Sequence, residues 1–211
     1  MNLTEATFYF DYEHELIQSH IKVLEQEDLS DKERAIQLYN YVRENWIYSA
    51  NYVNCKPDLF KASEIAKRDR AHCIDKSIML STLLRAFGIP TRLQFAKVKN
   101  HIATEHLEEK FGTNELTPHG MVNLYINDQW LKVSPAFNTS LCEKYNVAAL
   151  EFDGERDSIF HEFDREGNQF MEYLEDYGSF DDVPYAFIQR NIVEHYPGVK
   201  NIIEASDILE F

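Results

Sequence analysis

Hydrophobic residues recur at helical spacing early in the chain and alternate with polar ones in its middle. Residues 12–26 set Ile17, Ile21 and Leu24 three or four apart, which predicts an amphipathic helix. Ser30 then offers a cap to a second helix, and Glu33 three residues on completes a capping box. That helix carries Ile36, Tyr39, Val42 and Trp46 along one side. A polar stretch from Ser49 to Asp58 follows, then a short helix over 60–69. From Cys73 to Phe87 the chain is apolar on most faces, which predicts a helix buried on most sides. Gly88 stops it and Pro90 follows.

Strand patterns occupy other segments. Residues 3–10 end in aromatics and read as a strand, and residues 91–98 alternate and read as another. Residues 99–118 lack a period and read as a long loop bordering any cleft near His119. Residues 119–126 and 129–135 flank Asn127-Asp128, a hairpin signal. Residues 166–177 read as a helix. Tyr185, Phe187, Ile188 and Ile192 mark a segment packing back on the core. Two helices followed by antiparallel strands make an α+β layout. The expected division is a domain over 1–150 and an acidic C-terminal extension over 151–211 packed on it.

Composition narrows the class. Hydrophobic residues make up 44% and aromatics 13% of 211 residues, enough for a sizeable core. No apolar run approaches the ~20 residues a membrane span needs. The first residues lack the basic and apolar regions of a secretory signal, so the expected compartment is cytoplasmic. The net charge is −15, and it is uneven: residues 1–150 carry −3 and residues 151–211 carry −12. Nucleic acid and anionic membranes are therefore poor partners. Residues 56–99 hold 10 basic and 4 acidic side chains, read first as solvated faces, and otherwise as a field favouring an acidic substrate or a dock for the acidic region.

Candidate chemistry centres on a cysteine. Cys55, Cys73 and Cys142 have no regular spacing, which argues against a disulfide framework. Cys73 opens the buried helix, where unpaired N–H groups favour an anion and are expected to lower a thiol's pKa. His119 begins a predicted strand. If Asn127-Asp128 is the turn, Ser134 faces Met121, and His119 and Ser134 share a face as diagonal neighbours ~7–8 Å apart.

Other signals are weaker. Cys55, His72, Cys73, His101, His106 and Cys142 lack the spacing of a zinc site, so no metal or cofactor is expected. Asp153-Gly154-Glu155 lacks the order of a calcium loop. Ser77 and Ser81 lack a nucleophile elbow. Glu105, Glu108 and Glu109 read as solvated charges.

The segment Ala71-His72-Cys73-Ile74-Asp75 and the run Leu83-Leu84-Arg85-Ala86-Phe87-Gly88-Ile89-Pro90-Thr91-Arg92 resemble the transglutaminase-like superfamily. So do His119-Gly120-Met121-Val122-Asn123-Leu124-Tyr125, Trp130-Leu131-Lys132-Val133-Ser134-Pro135 and the lead-in Trp46-Ile47-Tyr48. The resemblance covers about residues 31–138. It implies a papain-like core, with the cysteine helix against an antiparallel sheet. It implies Cys73 as nucleophile and His119 as general base, with Trp46 a possible oxyanion or cleft residue.

Two positions depart from the family pattern. Ala71 stands where glycine is usual. Ser134 stands where aspartate is usual as third member, and Asn138 is the alternative for that role. The expected activity is thiol-dependent acyl transfer from, or hydrolysis of, an amide in a peptide or protein substrate. The rivals are a non-catalytic binding module on the same scaffold and a structural domain that interacts through its acidic region.

Overall fold

The computed structural model describes residues 2–25, 28–50, 52–101, 108–109, 112–196, 199 and 207–210. Its centre is a four-stranded antiparallel sheet with β4 (Thr91–Asn100), β5 (Glu115–Ile126), β6 (Gln129–Val133) and β7 (Met171–Phe180) in the order β6-β5-β4-β7. Helices α1 (Glu15–Leu24), α2 (Asp31–Asn45), α3 (Ala62–Ile65) and α4 (Cys73–Ala86) precede most of it. Two short pairs, β1 (Ile47–Tyr48) with β3 (Arg70–Ala71) and β2 (Tyr52–Asn54) with β8 (Ile208–Glu210), tie loops together. Helices α5 (Thr139–Lys144) and α6 (Tyr185–His195) complete it. The α+β expectation and the cysteine helix against an antiparallel sheet both hold. No helix among the described residues is long and apolar enough to cross a membrane.

Local chemistry explains the elements. Ser30 Oγ accepts the Glu33 N–H while the Glu33 carboxylate accepts the Ser30 N–H, the capping box read from sequence. Helix α4 ends in a Schellman motif. The Ile89 N–H reaches the Leu84 carbonyl and the Gly88 N–H reaches Arg85, with Gly88 at φ +79°. Asn127 and Asp128 both take positive φ, and the hairpin pairs Ile126 with Gln129, as expected.

The core surrounds α4, whose residues from Cys73 to Arg85 are all buried. Its three buried charges all have partners, as burial requires. Asp75 accepts from Asn54 Nδ2 at 2.7 Å and from the His72 N–H at 3.1 Å, with Arg68 3.6 Å away. Arg85 donates to the carbonyls of Glu5, Thr91 and Asp181 and lies over the Phe10 ring. Lys76 Nζ donates to the carbonyls of Arg43 and Trp46, both at 2.8 Å, and so closes the C-terminus of α2.

Burial pushes the Lys76 ammonium down to about 7 from its ordinary 10.5. Its folded pKa lies below its unfolded one, so its contribution is complete above 10.5 and is lost as pH falls through about 7. The melting temperature of the parent relative to Lys76→Met is therefore expected to rise as pH climbs between those values. A constant or shrinking difference contradicts this.

Three elements differ from the sequence reading. Residues 3–10 form turns, not a strand. Thr7 Oγ1 accepts the N–H groups of Tyr9 and Phe10, a local bond that competes with a ladder. Residues 171–180 form a strand, not a helix. Its register against β4 slips twice, between Phe95 and Ala96 and between Lys97 and Val98. Each slip adds a residue to β7, and the two bulges convert a period of two into an apparently helical spacing. His119 lies inside a strand that begins at Glu115, so the expected loop is shorter, and residues 102–107 and 110–111 of it lie outside the described residues.

The acidic segment supplies part of this architecture. Strand β7 pairs with β4 along its length, and Asp181 takes Arg92 at 2.9 Å. Lys61 and Lys67 instead pair close to home, with Asp58 and Glu64.

Candidate active site

The β1–β3 pair sets Tyr48 beside Ala71, and the chain then turns into α4. Cys73 is the first residue of that helix, and only 2% of it is exposed. It lies in a cleft that His72, His119 and Pro118 also line. His119 comes from β5 and is likewise 2% exposed. Cys73 and His119, far apart in sequence, thus share one cleft.

Gly120 explains how the strand comes so close. A Cβ there would stand 2.9 Å from Ile74 Cα and 3.2 Å from Ile74 N, so no side chain fits between β5 and the first turn of α4. The backbone N–H groups of Gly120, Ile74 and Cys73 lie close enough to the Cys73 sulfur to favour its thiolate.

Two opposing effects act on the thiol. The three N–H groups favour the thiolate, and burial opposes it more strongly, with Asp75 adding to the burial effect. Burial wins and pushes the thiol up to about 12. This corrects the expectation that the helix N-terminus lowers it: the dipole is present, but the sulfur has lost its water. Burial also brings His119 down to about 4. The resting pair is therefore a neutral thiol and a neutral imidazole, a base still able to accept a proton.

A second imidazole stands nearer the sulfur than the sequence suggested. His72 Nδ1 is 3.4 Å and Nε2 3.8 Å from Cys73 Sγ, and the His72 ring stacks against Tyr48. Burial first, and His119 second, lower His72 to about 3. The sequence signal for it was adjacency alone, since the residue before a helical nucleophile lies at the cap.

Behind His119 lies another small cavity, lined by His119, Ser134, Cys142, His161 and apolar residues. His119 and Ser134 thus border one space. No hydrogen bond joins them: His119 Nδ1 is buried without a partner, and so is His161 Nε2. Strand β6 ends at Val133, one step before Ser134 would pair with Met121, and the Ser134 N–H goes to the Ser158 carbonyl instead.

The other two candidates point elsewhere. Asn138 Oδ1 accepts the Tyr48 N–H at 2.6 Å, and its Nδ2 donates to the carbonyls of Arg43 and Trp46. Its amide holds the end of α2 and has no group left to orient His119. Trp46 is buried in the core, with its ring against His20 and Tyr41, and does not line the cleft. Among the described residues no three His, Cys, Asp or Glu side chains gather to hold a metal. His106 lies outside them.

The lead-in to His119 is clamped from the C-terminal side, which the sequence did not reveal. Thr117 Oγ1 donates to Asn191 Oδ1 at 2.8 Å and meets Tyr177 Oη at 3.0 Å. The Thr117 N–H donates to Tyr196 Oη, whose own proton goes to the Glu115 carbonyl. The segment after residue 150 therefore builds the cleft as well as the sheet.

Comparison with known proteins bears on the fold and the family. The fold is similar to the crystal structure of a candidate cysteine protease from Cytophaga hutchinsonii, with a TM-score of 0.50 and 14% identity. The match covers 88% of this chain and 48% of that one, so the chain spans about half that protein's length. Among curated proteins none matches significantly. The family model of the transglutaminase-like superfamily matches residues 21–135, from α1 through the end of β6 and so across Cys73, His119 and Ser134. With more than half its length under that match, the chain belongs to the transglutaminase-like superfamily.

Proposed function

We propose that this protein is a thiol-dependent enzyme that transfers or hydrolyses an acyl group from an amide, with Cys73 as nucleophile and His119 as base. The observation that carries the reading is the shared cleft: a thiol at a helix N-terminus and a neutral buried imidazole on the facing strand. In the first step the Sγ–H proton passes to His119 as sulfur attacks the carbonyl carbon. The backbone N–H groups of Cys73, Ile74 and Gly120, which favour negative charge on the sulfur, are the donors proposed for the oxyanion. His119 then returns the proton to the departing amine, and the C–N bond breaks. A thioester remains on Cys73. Water or a second amine attacks it, giving an acid or a new amide and restoring the thiol.

Ser134 is assigned to the third position. It borders the cavity behind His119 and can accept the imidazole N–H across a small movement or a water. Its neutrality fits a pair that rests uncharged.

The test is mass spectrometry after incubation with a panel of acyl esters and peptide thioesters. The expected result is one acyl adduct that maps to Cys73 and is released by hydroxylamine. Adducts on Cys55 or Cys142 instead, or none across the panel, would favour the binding-module reading.

A further inference from the structure

The cleft has walls as well as a nucleophile, and the mechanism above uses only its floor. We infer that the acyl group delivered to Cys73 carries a neutral, apolar chain, held between the lead-in of β5 and helix α6. The inference rests on the reading of Cys73 as the acyl-accepting nucleophile.

Apart from the two histidines and Cys73, the described lining is carbon-rich. Leu116 and Pro118 form one side, Ile192 and Val199 another, and Val53 and Ile74 complete it. Of the three residues with hydroxyl groups in the described lining, Tyr48, Thr117 and Tyr196, the last two have theirs engaged. Thr117 bonds to Asn191 and Tyr177, and Tyr196 bonds to the backbone of Glu115 and Thr117. These bonds fix the walls and turn their polar atoms toward each other.

Charge sharpens the point. Residues 151–211 carry −12, yet what their described residues present to the cleft is Ile192, Tyr196 and Val199. No described lining residue is a carboxylate, lysine or arginine. An acidic side chain in this space would lose its water with no cation to receive it, and an ammonium would find no carboxylate. The two imidazoles bordering Cys73 are held neutral and offer no full charge to either. An apolar chain meets none of these penalties.

Three N-substituted iodoacetamides test this: phenethyl, carboxyethyl and aminoethyl. The rate of Cys73 modification by each is measured by peptide mapping and divided by its rate with a small free thiol. The expected outcome is a phenethyl rate at least about ten-fold above both charged probes. Ile192→Ala is expected to cut that preference several-fold. Should that variant fail to fold, Leu116→Ala on the opposite, partly exposed wall serves the same purpose. A charged probe that equals or exceeds the phenethyl one overturns the inference and leaves the thiol reading standing. An unchanged preference in the wall variant overturns the assignment of these walls. If iodoacetamide itself never modifies Cys73, the thiol reading fails, and this inference with it.

Discussion

Replacing His119 with glutamine is expected to slow acylation of Cys73 by about 10²–10⁴-fold, the usual worth of a positioned general base. The size follows from the state of the thiol. Burial holds Cys73 up at about 12, so at neutral pH almost no thiolate exists without a proton acceptor. His119, brought down to about 4 by the same burial, is neutral there and supplies one. Glutamine keeps the bulk and some polarity but cannot take the proton. Stability should change little, because His119 Nδ1 has no bond to lose. Ser134 variants refine the result. Ser134→Ala removes the proposed orienter and should cost about ten-fold, or ~1.4 kcal/mol of barrier. Ser134→Asp adds a carboxylate behind the ring, which raises the His119 pKa. A His119→Gln variant acylated at the parent rate would remove His119 from the mechanism.

Gly120→Ala is expected to impair both stability and chemistry. The added carbon would meet Ile74 Cα at 2.9 Å and Ile74 N at 3.2 Å. These are backbone atoms of the first turn of α4, and they have no rotamer by which to withdraw. Strand and helix must separate, at about 1–3 kcal/mol for overpacking of this kind. In a chain of this length that lowers the melting temperature by several degrees. The separation also carries His119 away from Cys73 and weakens the support the Gly120 N–H gives the thiolate. Acylation should therefore fall by more than the loss of folded protein explains. Gly120→Ala with the parent's melting temperature and rate would show that the close approach is not required.

Much of this was legible in the sequence because local signals and tertiary demands agreed. Ser30 with Glu33, Gly88 after Phe87 and Asn127-Asp128 each specify a backbone geometry by themselves, and each formed as read. The Cys73 helix was legible because its apolar faces leave nothing to expose. The misread elements are those where a local pattern was overridden. In β7 two bulges removed the alternation that marks a strand. At residues 3–10 Thr7 captured the N–H groups that a ladder would have used.

The site was legible as residue types but not as electrostatics. Sequence position gave Cys73 its helix dipole. Only the packing of β5 on α4 reveals that lost water outweighs it. Asn138 stands close to Ser134 in sequence, yet its amide is consumed by the end of α2, a contact between distant segments. Asn191 and Tyr196 were invisible as site residues, since hydrogen bonds across the fold tie them to Thr117.

The central claim is that Cys73 and His119 share a proton, and the pH dependence of Cys73 alkylation by iodoacetamide tests it most directly. With His119 as base, the rate should hold a plateau through the neutral range and decline only as pH falls toward about 4, where the imidazole takes up its own proton. In Ser134→Asp that lower edge should move to higher pH. In His119→Gln the plateau should vanish, and the rate should climb in proportion to hydroxide toward the thiol's own ionisation near 12. A parent profile that already climbs with hydroxide, and is superimposable on that of His119→Gln, would contradict the pairing.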